Sequence, residues 1–351
     1  MISFIMNEVL INKIESLLPD KLEELAKFID NLLSTKIQDK LTNQAYQIED
    51  KKITCVRCST SYVVKNGLKN GTQRYKCKNC NKFFSINTNS ILSHSKITYN
   101  QLMIIIKGVL DLKPLCEICV DAKLSIVETY YTEIKIFETL EKTYSDVKLK
   151  GIVQVDEQYF KLNIKGTKKE NMPRKSRKSG SQNLTSGISN EQVCVIEAID
   201  EYDNIIMNVV GSGPPSTETI SKCLKGKIAE GSILVTDSKS SYVRFAKDNN
   251  LILKQIPAGK HSVETIYNLN DLNSLMFEVE TYVNYIKRGI STRHLQQHLN
   301  FIRYRKILKY TLDYLERNKK MYKDSIILIS YTKCRQICKS ELPVDISAIY
   351  C

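Results

Sequence analysis

The sequence predicts a multidomain α/β protein in which an N-terminal helix, a cysteine-bearing ribbon and a helix-turn-helix precede a mixed sheet flanked by helices. Three observations predict it: apolar residues at helical spacing near the start, two Cys-x-x-Cys pairs among turn dipeptides, and an alternation of strand-like and helix-like runs from Gly151 onward. In the first segment Pro19 and Asp20 suit an opening turn, and Leu22, Leu25, Ile29, Leu32 and Leu33 recur on one helix face. A polar linker runs from Lys36 to about Lys52. From Cys55 to Ser85 the pattern changes to short strands, with Asn66-Gly67 and Asn70-Gly71 as hairpin-type dipeptides. Residues 98–143 read as helices. Within them Ile118, Val120 and Leu124 lead to Ser125, a suitable cap, before Tyr130, Ile134 and Leu140 continue a second helix.

Five strand-like runs follow: Ile152 to Phe160, Gln192 to Ile199, Ile205 to Val210, Ser232 to Thr236 and Leu251 to Ile256. Helix-like stretches fall at 216–229, 240–249 and 270–287. Three strands and then alternating helices and strands fit a mixed α/β sheet. A basic insert, Lys165 to Gln182, separates the first two strands and reads as a loop.

The 351 residues carry 52 Lys and Arg against 38 Asp and Glu, a net charge of +14. Such a surplus favours a polyanionic partner, because Lys and Arg attract phosphates and release their counterions. No apolar run is long enough to span a membrane, and the start lacks the basic and small-residue pattern of a secretory signal. The expectation is a cytoplasmic protein with no membrane partner, whose eleven cysteines serve as thiols or metal ligands and not as disulfides.

Cys55-Val56-Arg57-Cys58 and Cys77-Lys78-Asn79-Cys80 are two knuckles separated by eighteen residues, which is the spacing of a four-cysteine zinc site. Each knuckle offers two thiolates on one tight turn, and a hairpin joining the two completes a tetrahedron around Zn²⁺. Four sulfurs leave no open position, so such zinc is structural. So small a segment has almost no core, and binding the metal would fold it. Lys65, Lys69, Arg74, Lys76, Lys78 and Lys82 share the hairpin with Tyr75, Phe83 and Phe84, a composition that suits phosphate contact. Cys116 and Cys119 form a third Cys-x-x-Cys without a second knuckle, and are expected as buried thiols on a helix face.

Val153-Gln154-Val155-Asp156-Glu157 places a carboxylate inside an apolar strand, and Ile233-Leu234-Val235-Thr236-Asp237 places another at a strand end. Burying an ionised carboxylate is costly unless something compensates it. Two such residues on neighbouring strands can share Mg²⁺, and a third oxygen ligand would complete a site for phosphodiester chemistry.

At this point the chain resembles a known family. Cys55 to Phe84, with Lys65-Asn66-Gly67 and Gln73-Arg74-Tyr75-Lys76-Cys77, resembles the zinc ribbon of a bacterial insertion-sequence transposase family. Gly151-Ile152-Val153-Gln154-Val155-Asp156-Glu157, with Lys165-Gly166 and Pro173-Arg174-Lys175, looks like its first catalytic block. Val235-Thr236-Asp237 with Tyr242 looks like the second; Leu272-Asn273-Ser274-Leu275 and Gly289 to Gln296 are similar to the third. The likeness runs over about residues 16–306.

The resemblance implies a ribonuclease H-like mixed sheet flanked by helices, with Asp156, Asp237 and Asn273 as catalytic residues holding magnesium or manganese. An Asn carbonyl binds a hard cation but adds no charge. Members with Asn often carry His three and Lys seven residues later, where this chain has Met276 and Glu280. Glu278 or Glu280 is therefore an alternative third ligand, and Glu264 a further one. The resemblance further implies a multimer acting on double-stranded DNA, both element ends and target, in the nucleoid.

The expected segments are an N-terminal helix and linker at 1–50, a zinc ribbon at 51–90 and a helix-turn-helix at 98–145. The catalytic domain would span 150–310 and a helical tail 311–351. A DNA-binding protein that holds the ribbon but cuts nothing is the competing expectation, and a ribbon attached to an unrelated nuclease a third. His294 and His298 read as a surface pair, and Lys287-Arg288 and Arg303 to Lys306 as a track along DNA backbone.

Overall fold

Side chains on a strand alternate between its two faces, so a strand that is apolar at nearly every position needs cover on both. The run Gln192–Asp200 comes nearest to this character, and in the computed structural model the five runs from Ile152 to Ile256 form one sheet. The structure describes residues 19–25, 27, 53–69, 72–85, 87–141, 147–167, 191–327 and 332–345. It divides into two units, Met1–Ile86 and Asn87–Cys351. Much of the expected N-terminal helix, the Asn70-Gly71 turn and most of the basic insert lie outside the described residues.

In the first unit β1 (Val63–Lys69), β2 (Thr72–Cys77) and β3 (Phe83–Ser85) form an antiparallel sheet in that order. The expectation of a turn at Asn66-Gly67 is corrected. The pair lies inside β1, at a register shift between Lys65 and Leu68, with Gly67 at φ +68°. One kind of bulge places a residue in the left-handed region, and glycine adopts it without a Cβ clash. Among the described residues its core is Cys55, Tyr75, Cys77 and Phe84, with partly buried neighbours.

The second unit opens with α1 (Tyr99–Leu110), α2 (Leu115–Asp121) and α3 (Ile126–Glu141). Thr98 and Gln101 form a capping box on α1, and Ser125 caps α3 by accepting the Glu128 amide at 3.2 Å. The sheet comprises β4 (Ile152–Lys161), β5 (Gln192–Asp200), β6 (Ile205–Ser212), β7 (Ile233–Asp237) and β8 (Ile252–Ile256). Its order is β6-β5-β4-β7-β8, with β6, β5 and β4 antiparallel and β4, β7 and β8 parallel. This is the ribonuclease H-like arrangement, a mixed sheet covered by helices on both faces.

On one face Val153, Val155, Ile196, Ala198 and Leu234 pack against α4 (Thr217–Leu224) and α5 (Ser240–Asp248). On the other, Phe160, Val193, Val195, Ile199 and Met207 share a core with α1, α3, α6 (Asn270–Glu280) and α7 (Leu295–Thr311). That core also takes in Met321 and Tyr322 of α8 (Tyr314–Ile327) and Ile337 of α9 (Cys334–Cys338). Two short strands, β9 (Ser262–Val263) and β10 (Tyr267–Asn268), pair just before α6. Among the described residues no helix is long and apolar enough to cross a membrane.

Three sequence expectations are overturned here by burial. His294 and His298 are not a surface pair: they are 6% and 3% exposed, and His298 Nδ1 shares a 2.8 Å hydrogen bond with the buried Tyr282 hydroxyl. Lys287 is buried in an ion pair with Glu133, and Arg305 meets Glu278 at 2.9 Å. Lys306 reaches the same carboxylate at 3.5 Å, so Lys287, Arg305 and Lys306 are paired with acids within the fold. Cys116 is exposed and Cys119 half-buried, because α2 turns its Cys116 face to solvent while Ile118 enters the core.

Burial, helped by Arg293, draws His294 down to about 4, and burial also carries His298 well below the ordinary range. A buried neutral imidazole binds its proton less well than it does in the unfolded chain. Stability from these groups is therefore full above the unfolded histidine value of about 6.5 and is lost as pH falls toward the folded values. His294→Gln is expected to flatten the stability–pH slope between about pH 6.5 and 5 by up to ~1.4 kcal/mol per pH unit. Denaturant titrations across that window measure it, and an unchanged slope would mean that the ring titrates freely.

Candidate active site and metal centre

The sheet register brings the acidic residues together. Gln154 of β4 lies beside Val235 of the parallel β7, and two residues further along each strand, on the same face, stand Asp156 and Asp237. Asp156 is also directly opposite Glu197 of β5. Glu197, Asp156 and Asp237 therefore form one row across three adjacent strands, on the face covered by α6 and α7. Neighbouring strands are about 4.8 Å apart, so like charges in such a row repel unless a cation lies among them.

The cation that the chain itself supplies is Lys239, in the loop after β7. Its Nζ lies 3.5 Å from Asp156 Oδ1 and 3.3 Å from Asp237 Oδ2, so both carboxylates converge on one point. The same ammonium touches Glu157, whose side chain is fully buried and points to the opposite face. There the Tyr242 hydroxyl donates to Glu157 Oε1 at 2.7 Å. The loop is pinned by Gln255 Nε2, which donates to the Asp237 and Lys239 carbonyls at 3.1 and 2.9 Å.

Burial pushes the Asp156 carboxyl above its ordinary range, with Asp237 and Glu157 adding to the shift and the Glu157 amide and Lys239 opposing it. Burial works against the charge of Lys239, yet its carboxylate partners hold the ammonium above its usual value. Glu197 is pushed up to about 8 by complete burial and by Asp156. An isolated buried carboxyl takes up a proton in preference to holding a charge in low dielectric.

Helix α6 is docked on β4 by the two glutamines that flank Asp156. Gln154 accepts the Leu272 amide at 3.0 Å and donates to Asp271 Oδ2 at 2.9 Å, and Gln158 donates to the Met276 carbonyl at 2.8 Å. The stretch from Leu272 to Met276 therefore runs level with Asp156, and it contains Asn273. Asn273 is exposed, with its amide bonded to the Leu269 carbonyl at 2.8 Å. The alternatives differ in what engages them. Glu278 is held by Arg305 and Lys306, Glu264 by Lys254 at 2.6 Å, and Glu280 is exposed.

Lys239, Glu197 and the docking glutamines were not singled out from sequence. The polar alternation Gln154-x-Asp156-x-Gln158 carries a signal for the glutamines, since period two puts all three on one face. Glu197 carries the same local signal as Asp156, a carboxylate within an otherwise apolar strand, whereas Lys239 carries none.

In the first unit the sulfurs of Cys55, Cys58, Cys77 and Cys80 all lie within 4.8 Å of one another and can hold a metal ion. Cys55 to Cys80 and Cys58 to Cys77 are both 3.6 Å. A tetrahedral ion about 2.3 Å from each sulfur, such as zinc, sets them ~3.8 Å apart, so the spacing fits. The Arg57 amide approaches Cys55 Sγ at 3.5 Å and the Cys80 amide approaches Cys77 Sγ at 3.4 Å. The Arg57 amide is the largest influence drawing the Cys55 thiol down to about 6. On the hairpin Arg74 and Lys76 lie over the exposed Phe83 ring, 5.0 and 5.7 Å from its centre.

Residues 148–306 match the family described as ISXO2-like transposase domain. That match takes in the acidic row and α6 and leaves the four-cysteine unit outside. No curated protein matches the chain. Among solved structures it is similar to the Mos1 strand transfer complex, at 12% identity over 65% of this chain and 78% of that chain, with a TM-score of 0.26. It is similar also to a pre-cleavage Mos1 transpososome, at 10% identity over 65% and 79%, with a TM-score of 0.23. At these scores the likeness supports no inference.

Lys239→Met leaves Glu157 buried with its charge uncompensated, and is expected to cost about 3 kcal/mol. That is the low end of the range for breaking a buried pair, because Lys239 is itself partly exposed. Adding Glu157→Gln should restore most of the loss, as read by denaturant unfolding. In the first unit, a strong chelator or Cys77→Ser should abolish amide protection across residues 53–85. Hydrogen exchange of the full chain measures this, and protection that survived chelation would show that the segment folds without metal.

Proposed function

We propose that the chain is an insertion-sequence transposase that binds its element ends and cuts and joins DNA, because residues 148–306 match the family described as ISXO2-like transposase domain. The observation that carries this reading is the convergence of Asp156 and Asp237 on a single cation, Lys239 Nζ. The two oxygens can be no farther apart than those contacts permit, which suits a shared divalent ion.

In this proposal Asp156 and Asp237, with Asn273 from α6, hold magnesium or manganese. Such ions activate the attacking oxygen and stabilise the leaving one in an in-line displacement at phosphorus. Water attacks at the element end, and the freed 3′-hydroxyl then attacks target DNA. Gln154 and Gln158 position α6 so that Asn273 stays level with Asp156. Lys239 holds the two carboxylates together and supplies a positive charge at the edge of the site.

The four-cysteine ribbon at 51–90 carries structural zinc and offers Lys69, Lys78 and Lys82 with Phe83 to the backbone of the ends. The helix pair within 98–145 adds to end binding, 150–310 performs the chemistry, and 311–351 is a helical segment after it. Joining two ends calls for at least two copies of the chain on double-stranded DNA in the nucleoid of the cytoplasm.

A second reading, a DNA-binding protein that no longer cuts, is favoured by one observation. Lys239 already neutralises the carboxylates that would hold metal, and Asn273 brings no charge of its own. Purified protein incubated with Mg²⁺ or Mn²⁺ and the DNA ends that flank its own gene separates the two readings. Nicking and joining are expected, with Asp156→Ala and Asp237→Ala each lowering them on the order of 10³-fold, about 4 kcal/mol of transition-state stabilisation. Binding of those ends without any cleavage supports the second reading.

A further inference from the structure

The acidic row has a member that the proposed triad does not use. Glu197 is completely buried, and neither of its carboxylate oxygens has a hydrogen-bond partner among the described residues. Both oxygens of a carboxylate expect acceptor bonds, and a buried group without them costs about 1–3 kcal/mol, more if it is charged. The fold keeps this carboxyl nonetheless, in the middle of β5, where Val193, Val195 and Ile199 on the same face are apolar.

Its position is specific. Glu197 stands directly opposite Asp156, in the row that continues to Asp237. On its other side it faces Met207 of β6, which offers no hydrogen-bond donor. The nearest cationic influence from the helices is Lys306, and that ammonium is 3.5 Å from Glu278 Oε2. The orphaned oxygens thus belong to the same side of the sheet as Asp156 and Asp237 and have no hydrogen-bond partner among the described residues.

We propose that Glu197 is a third carboxylate ligand of the divalent-cation site, supplied by β5 in place of a charged residue on α6. This rests on the transposase reading of Asp156 and Asp237, and it answers the charge that Asn273 fails to bring. A cation bound between Asp156 and Glu197 accepts lone pairs from both and removes the mismatch on β5. The site then carries three negative charges across β5, β4 and β7, with Asn273 contributing a neutral oxygen from above.

Mn²⁺ titrated into the full, zinc-loaded chain, with free Mn²⁺ followed by paramagnetic resonance, tests this without reference to activity. Wild type, Asp156→Asn and Glu197→Gln are compared. Both variants are expected to weaken Mn²⁺ binding by tenfold or more. Glu197→Gln should also raise the melting temperature without metal while shrinking the rise that Mn²⁺ produces. If Asp156→Asn weakens binding and Glu197→Gln stays within twofold of wild type, the assignment of Glu197 is overturned and the transposase reading stands. If wild type binds no Mn²⁺, or Asp156→Asn binds as wild type does, the metal site itself is overturned. Should Glu197→Gln not hold its fold by circular dichroism, Glu197→Ala is titrated in its place against the same criteria.

Discussion

Carboxylates on adjacent strands about 5 Å apart cannot all stay charged and buried without a positive charge among them. In the described structure that charge is the ammonium of Lys239, which contacts Asp156, Asp237 and Glu157 together. The backbone around it accommodates this demand. Gln255 and Ser238 tie the loop after β7 to β8, so the ammonium arrives at the strand ends instead of extending into solvent. The three carboxylates thus share one ammonium as their counter-charge.

Helix α6 is held at one height on β4. Two glutamines do this from the strand itself, on either side of Asp156, using backbone groups of Leu272 and Met276. Hydrogen bonds of this kind contribute about 1 kcal/mol each, but their larger effect is geometric. They set the register between a strand and a helix that apolar contacts alone would leave free to slide.

The four-cysteine unit obeys a different constraint. Its core amounts to Cys55, Tyr75, Cys77 and Phe84, too little apolar surface to offset the entropy of ordering the hairpin. Two of those four residues, Cys55 and Cys77, belong to the cysteine cluster that can hold a metal, so that cluster and the core are largely the same object. The Tyr75 and Phe84 rings, 5.6 Å apart and nearly parallel, cover the cluster, while Phe83 with Arg74 and Lys76 faces outward.

By itself the sequence determined whatever depends on local periodicity and spacing. The five strands, the helices after them and the two cysteine knuckles were all legible, because each is written in residues a few positions apart. Asp156 and Asp237 were legible as acids in apolar strands. Only the tertiary structure decided what faces what. His294, His298, Lys287, Arg305 and Lys306 look like surface residues in a basic chain, and packing buried them or paired them with acids far away in sequence. Asn66-Gly67 resembles a turn, and strand pairing made it a bulge. Lys239 and Glu197 take their meaning from neighbours on other strands, since a sheet assembles its row of charges across the chain and not along it.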